Sequence, residues 1–187
     1  MHKRFSPKIL ITQIANYCKD LCSLNYGSAP DFTINGDLDA TFPYVPVHVD
    51  YIMMELLKNS FRATVEHSGK INRHNHPKVE ITIAKDIDNV SIRVRDGGGG
   101  IPSKDLPFVF DYSFTTVPKI DNDVHFSNMS KMSMVNSSGG VMAGLGFGLP
   151  MSRVYASYFG GSLELQTIAG YGCDLFVNLP AISDASI

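Results

Sequence analysis

The stretch VEITIAKDIDNVSIRVRDGGGG, residues 79–100, decides the fold. Val79–Ala84 and Val90–Arg95 each alternate apolar and polar residues, and Asp88-Asn89 between them reads as a turn. That pattern predicts an antiparallel hairpin with one face on a core and the other toward water. The second strand runs into Asp96 and then four consecutive glycines. A carboxylate therefore stands at a strand end beside backbone stripped of side chains. Such a place suits a flat heterocycle whose exocyclic amine donates to Asp96. Taken alone, the glycine run reads better as a flexible turn than as a ligand site.

Outward from the hairpin, helical and strand-like segments mix. Ser6-Pro7 has the residue types of a helix N-cap and first helical position. Ile9, Leu10, Ile14, Tyr17, Leu21 and Leu24 follow at helical spacing, and Gly27 ends the helix. Phe32–Ile34 and Thr41–Tyr44 flank Asn35-Gly36-Asp37, which predicts a second hairpin. A long helix is expected from Val47 to about His67, and a short one over Ser103–Phe110. A third is expected from about Gly148 to Tyr158, with Gly160-Gly161 past its end. Ser162–Thr167 and Cys173–Leu179 read as two more strands around the turn at residues 169–172. Residues 117–143 keep no period, and a stretch of that length inside a compact domain reads as a lid or a disordered loop. The sum is a single α+β domain over residues 1–187, a two-layer sandwich with helices on one face of a mixed, largely antiparallel sheet.

Composition narrows the function. A chain of 187 residues with 44% hydrophobic residues can bury roughly two-thirds of its unfolded surface without a disulfide framework. A net charge of −2 gives no basic field, which argues against nucleic acid as the main partner. No apolar run approaches the ~20 residues of a membrane span. The start MHKRFSPKIL lacks the apolar segment of a secretory signal. Cys18 and Cys22 make a lone C-x-x-x-C pair, poor zinc spacing, and with Cys173 read as reduced thiols. His67, His74 and His76 fall in the polar stretch HSGKINRHNHPK, read as a solvated loop rather than a metal site.

The sixteen glycines are unevenly placed. A second cluster, Gly144-Leu145-Gly146-Phe147-Gly148-Leu149, opens the third helix. Its spacing departs from G-x-G-x-x-G and a loop precedes it, so a dinucleotide-binding turn fails its context test. No G-x-x-x-x-G-K-[ST] occurs, which excludes a P-loop. Bare amides leading into a helix N-terminus nevertheless suit phosphate, because the helix end carries a positive partial charge. On the long second helix, Glu55, Asn59, Arg62 and Glu66 follow one another at steps of four, three and four and share one stripe. Asn offers a neutral oxygen for magnesium, and Glu can orient or deprotonate a nucleophile. A polar stripe alone is usually a solvent face. The two glycine clusters are what call for a metal and a base between them.

E-x-x-x-N in a helix, D-x-G-x-G after a strand, then a lid and G-x-G-x-G-L opening a helix resemble the ordered signature of the ATPase superfamily that unites DNA gyrase, the heat-shock chaperone, sensor histidine kinases and mismatch-repair ATPases. ELLKNSFRATVE (55–66), DYSFTT (111–116) and GFGLPMSR (146–153) resemble the mitochondrial 2-oxo acid dehydrogenase kinases. YGSAP (26–30), INGD (34–37) and DYIMMELLKN (50–59) look most like the branched-chain member, with the pyruvate dehydrogenase kinases slightly less similar. The resemblance covers essentially the whole chain but only the C-terminal catalytic half of such kinases. Their N-terminal helical bundle, which docks the lipoyl-bearing core, is absent from it.

The resemblance implies the roles that follow. Glu55 is the general base or polariser for a substrate serine, with Lys58 beside it in the catalytic set. Asn59 holds magnesium, and Arg62 supports the nucleotide or its neighbouring carboxylates. Asp96 takes the adenine amine of ATP, with Gly98 and Gly100 shaping that pocket. Thr115 and Thr116 contact the nucleotide, and Gly144, Gly146, Gly148 and Leu149 wrap its phosphates beneath the flexible lid at 117–143. Val109, Asp111 and Phe114 match positions around a potassium ion in the branched-chain relative. Two residues depart from the branched-chain pattern: Gly97 stands where these kinases have arginine, and Ala143 where the branched-chain kinase has histidine and the pyruvate dehydrogenase kinases alanine. The implied function is ATP-dependent serine phosphorylation of the alpha subunit of a branched-chain 2-oxo acid dehydrogenase complex in the mitochondrial matrix, by a homodimer when full length. The alternatives are a pyruvate dehydrogenase kinase, an ATP-binding module inactive without its N-terminal domain, and a chaperone- or topoisomerase-type ATPase.

Overall fold

A computed structural model describes residues 2–72, 75–112, 114 and 146–181. The hairpin that opened the sequence reading is its centre: β4 (Val79–Lys85) and β5 (Asn89–Arg95) pair antiparallel with Ile83 opposite Ile92. Burial alternates along both, so Val79, Ile81, Ile83, Val90, Ile92 and Val94 all point into one core. β6 (Ser162–Ile168) and β7 (Gly172–Pro180) form the second hairpin, and β7 pairs antiparallel with β5. The five-stranded sheet runs β2-β4-β5-β7-β6 and is antiparallel except where β2 (Phe32–Gly36) lies parallel to β4.

That parallel edge overturns the expected hairpin around Asn35-Gly36-Asp37. After β2 the chain leaves the sheet, and β3 (Phe42–Tyr44) pairs instead with β1 (His2–Phe5) in a separate two-stranded sheet. The Asn-Gly-Asp signal marks an exit rather than a reversal. Gly36 adopts φ 92° with the Ile83 carbonyl where its Cβ would stand, and Asp37 donates its amide to that same carbonyl. The strand β1 itself has no period in the sequence to announce it.

Three helices cover the inward face of the sheet. α1 (Pro7–Tyr26) begins after Ser6 in extended conformation and ends on Gly27 at φ 74°, the left-handed geometry that a glycine at this position supplies without strain. α2 (Pro46–Lys70) is three residues longer at its C-terminus than the sequence indicated, and buries Ile52, Met53, Leu56, Leu57 and Phe61 fully. α3 (Gly148–Tyr158) starts and stops where expected. The short element after β5 is only a 3-10 turn, Leu106–Phe108. Tyr51, His48, Tyr155 and Phe159 pack their rings across the α2–α3 seam, with centroids 4.9–5.3 Å apart. This fixes α3 against α2, and each buried Leu or Ile beneath them contributes roughly 1.5–3 kcal/mol. Cys18, Cys22 and Cys173 are free and buried, and burial pushes the Cys18 thiol up to about 12. No helix among the described residues is long and apolar enough to cross a membrane.

Candidate functional site

The polar stripe of α2 faces a cleft, with Glu66 at its outer end exposed. Glu55, Asn59, Arg62 and Glu66 line a cleft of about 520 Å³, whose other walls are the loop after β5 and the N-terminus of α3. Three separate segments thus meet, as their residue types suggested. Asp96, Gly98, Gly100, Gly146, Gly148 and Leu149 all belong to the same cleft.

Asp96 is 8% exposed at the inner end. Its Oδ1 accepts the Gly98 amide at 2.9 Å and the Cys173 amide at 3.2 Å, leaving Oδ2 outside both bonds. Burial raises the Asp96 carboxyl above its ordinary value, against the lowering pull of those two amides. The bare loop is a packing necessity rather than a source of slack. A Cβ on Gly98 would stand 2.5 Å from the Ala63 Cβ of α2, and one on Gly100 2.5 Å from the Ile168 carbonyl oxygen. Gly97, one of the two departures, has the Pro77 ring in the space a side chain would take.

At the other end, Glu55 pairs with Lys58 through Oε1 at 2.5 Å, while its Oε2 sits where a Cβ of Gly148 would be. Glu55 therefore lies directly against the first turn of α3, where unpaired amides and the helix dipole attract negative charge. Both partners of the ion pair are mostly buried. Lys58 holds Glu55 but is not itself on the cleft wall. Arg62 lies farther along α2, its Nε 3.9 Å from Glu66 Oε1.

The site fits a purine nucleotide and a divalent cation. The buried acceptor of Asp96 suits an exocyclic amine, and the amide-rich start of α3 suits phosphate. Asn59 and carboxylates in the same cleft have the hard oxygen donors that a divalent cation beside phosphate would take. Val109, Asp111 and Phe114 occupy one turn: Val109 and Phe114 reach the cleft, Asp111 is exposed, and its carbonyl accepts the Phe114 amide at 3.3 Å. Thr115, Thr116, Gly144, Ala143 and the 117–143 lid lie outside the described residues, as does His74. Of the other histidines in that stretch, His67 lines the cleft against Gly99, and His76 meets the Ser28 hydroxyl at 2.9 Å.

Sequence reasoning missed three contributors. Ala63 stands one helical turn beyond Asn59, a position the stripe itself could have given. The Cys173 amide reaches Asp96 only through the pairing of β5 with β7, which no local pattern encodes. Gly172 was read as turn punctuation, yet a Cβ there would fall on the Asp96 carbonyl oxygen.

A family model described as histidine kinase-, DNA gyrase B-, and HSP90-like ATPase matches residues 44–183. The chain is 38% identical over 186 residues to the mitochondrial pyruvate dehydrogenase (acetyl-transferring) kinase of Arabidopsis thaliana, covering 99% of this chain and 49% of that protein. It is 37% identical to the mitochondrial enzyme of the same name from Schizosaccharomyces pombe, over 95% of this chain and 41% of that protein. Against isozyme 4 from Mus musculus the identity is 35%, over 96% of this chain and 42% of that protein. The chain spans about half the length, or less, of these relatives.

Proposed function

Because the chain belongs to the histidine kinase-, DNA gyrase B-, and HSP90-like ATPase family, we propose that it is the ATP-binding, phosphoryl-transferring half of a mitochondrial protein-serine kinase acting on a 2-oxo acid dehydrogenase complex. The observation that carries this is the convergence of Glu55 and Asn59, the Asp96 loop and the N-terminus of α3 on one cleft. The names of the relatives favour the pyruvate dehydrogenase complex as substrate over the branched-chain complex that the motif resemblance put first. Mitochondrial residence, in the matrix, belongs to the same proposal.

In this reading Asp96 accepts the adenine amine, and the Gly98 and Gly100 backbone walls the base. The first turn of α3, with Gly144, Gly146, Gly148 and Leu149, receives the phosphates. Thr115 and Thr116 add contacts to the nucleotide. Asn59 would supply an oxygen to a bound magnesium ion, which would offset the charge of the phosphates. Glu55, held by Lys58, takes the proton of the substrate serine as its oxygen bonds to the γ-phosphorus and the β–γ bridging bond breaks. ADP leaves. Positioning and charge neutralisation supply most of such a catalysis. Potassium at Val109, Asp111 and Phe114 would steady the turn beside the cleft. A homodimer and docking to the lipoyl-bearing core are assigned to the full-length protein.

The test is transfer of labelled phosphate from ATP to purified pyruvate and branched-chain dehydrogenase complexes, side by side, with the chain joined to the N-terminal portion its relatives carry. Serine labelling of the pyruvate complex, lost in Glu55→Gln while ATP still binds, is the expected result. Labelling of the branched-chain complex alone would reverse the substrate choice. ATP binding with no labelling of either would leave a binding module, and full activity in Glu55→Gln would remove the base.

A further inference from the structure

Tyr26 is the last residue of α1 and was given no role by its sequence position. Its hydroxyl donates to Oε1 of Glu66 on α2 at 2.9 Å. That same oxygen is 3.9 Å from Nε of Arg62, beyond hydrogen-bond range. Arg62 Nε is buried and has no hydrogen-bond partner. An Arg–Glu pair four residues apart on a helix is within reach of closing, and a charge-assisted contact of that kind is among the stronger hydrogen bonds. Here it stays open while Glu66 is engaged by Tyr26. The hydroxyl remains a donor throughout the physiological range, since burial and Glu66 together push Tyr26 up to about 12. Arg62 and Glu66 both line the cleft, and the Arg62 side chain is only 14% exposed.

We propose that Tyr26 is a positioning residue for the nucleotide: by occupying Glu66, it keeps the Arg62 guanidinium free for the phosphate-bearing part of the ligand. This rests on the nucleotide reading of the cleft. Without the hydroxyl, Glu66 closes on Arg62 and draws its positive charge away. The loss then falls on ligands that carry phosphate and spares those that carry only the base and sugar.

The experiment is calorimetric titration of the chain with ATP and with adenosine, for wild type, Tyr26→Phe and the double variant Tyr26→Phe/Glu66→Gln. Tyr26→Phe should lose ATP affinity by about tenfold, the value of one charge-assisted contact, and keep its adenosine affinity. The double variant should regain ATP, because a neutral residue at 66 no longer competes for Arg62. An equal loss of both ligands would mean a merely structural tyrosine and overturn the proposal. So would an unchanged ratio of ATP to adenosine affinity, or a double variant with no recovery. A wild-type chain that binds no ATP would overturn the nucleotide reading itself, and the role of Tyr26 with it.

Discussion

Replacing Asp96 by Asn should move nucleotide affinity and stability in opposite directions. Oδ1 of Asp96 already accepts two backbone amides, from Gly98 and Cys173. An asparagine retaining those bonds must keep its carbonyl oxygen there and turn its NH₂ toward the cleft. A donor then faces the adenine amine, itself a donor. The variant loses a hydrogen bond to a charged acceptor and leaves a polar group unmatched, about 2–3 kcal/mol or roughly 30- to 150-fold in ATP affinity. Guanine carries a carbonyl oxygen where adenine carries the amine, so the preference for ATP over GTP should narrow. Stability behaves differently. The folded carboxyl titrates above its unfolded value because burial disfavours its charge. Such a group contributes fully below the unfolded pKa, and that contribution is lost as pH rises through the folded one. At pH 7 the wild type therefore carries the cost of a buried charge and the Asn variant does not. Thermal melts without nucleotide should show the variant at least as stable as wild type at pH 7, with its advantage shrinking toward pH 4. Calorimetry against ATP and GTP completes the assay. ATP affinity within threefold of wild type would refute the assignment of Asp96 to the base. A clear loss of stability at pH 7 would refute the view that burial outweighs the two amide bonds.

Gly148→Ala should leave stability nearly unchanged, since alanine suits a first helical turn, but its methyl displaces the Glu55 carboxylate. Steady-state phosphorylation should fall several-fold more than ATP affinity does. Gly172→Ala meets the Asp96 carbonyl oxygen, which as backbone cannot step aside, so a loss of about 3 kcal/mol is expected in urea unfolding. Alkylation at pH 8 should be slow at all three cysteines in the folded chain, because burial pushes Cys18 up to about 12 and Cys22 and Cys173 up to about 11. Denaturant should make all three react at ordinary thiol rates.

What could be read from the chain follows the range of the interactions that set each feature. The β4–β5 hairpin and the start of α3 depend on alternation, turn residues and helix-end chemistry within a few positions, and the structure places them where the pattern did. β2 and β3 went the other way for a physical reason. Asn35-Gly36-Asp37 is sound hairpin chemistry, but β2 found a better partner in β4, with Ile34 opposite Ile81, and the local turn signal was overridden. The site shows the same division at finer grain. Glu55, Asn59, Arg62 and Glu66 share a helix stripe by arithmetic alone, so their common face was legible. Whether that stripe met water or a cleft was decided by the loop at Asp96 and the start of α3, far away in sequence. Their glycines supplied the argument, because a stripe of charge opposite backbone without side chains has room for a ligand between them. Cys173 and Tyr26 carried no such sign: the first acts through a backbone amide and the second from the end of another helix. An amide has no side-chain identity to read, and a single hydrogen bond between two helices leaves no period. A residue of this kind becomes visible only when its partner is already known, which is why Glu66, the one member of the stripe with no assigned task, leads to Tyr26.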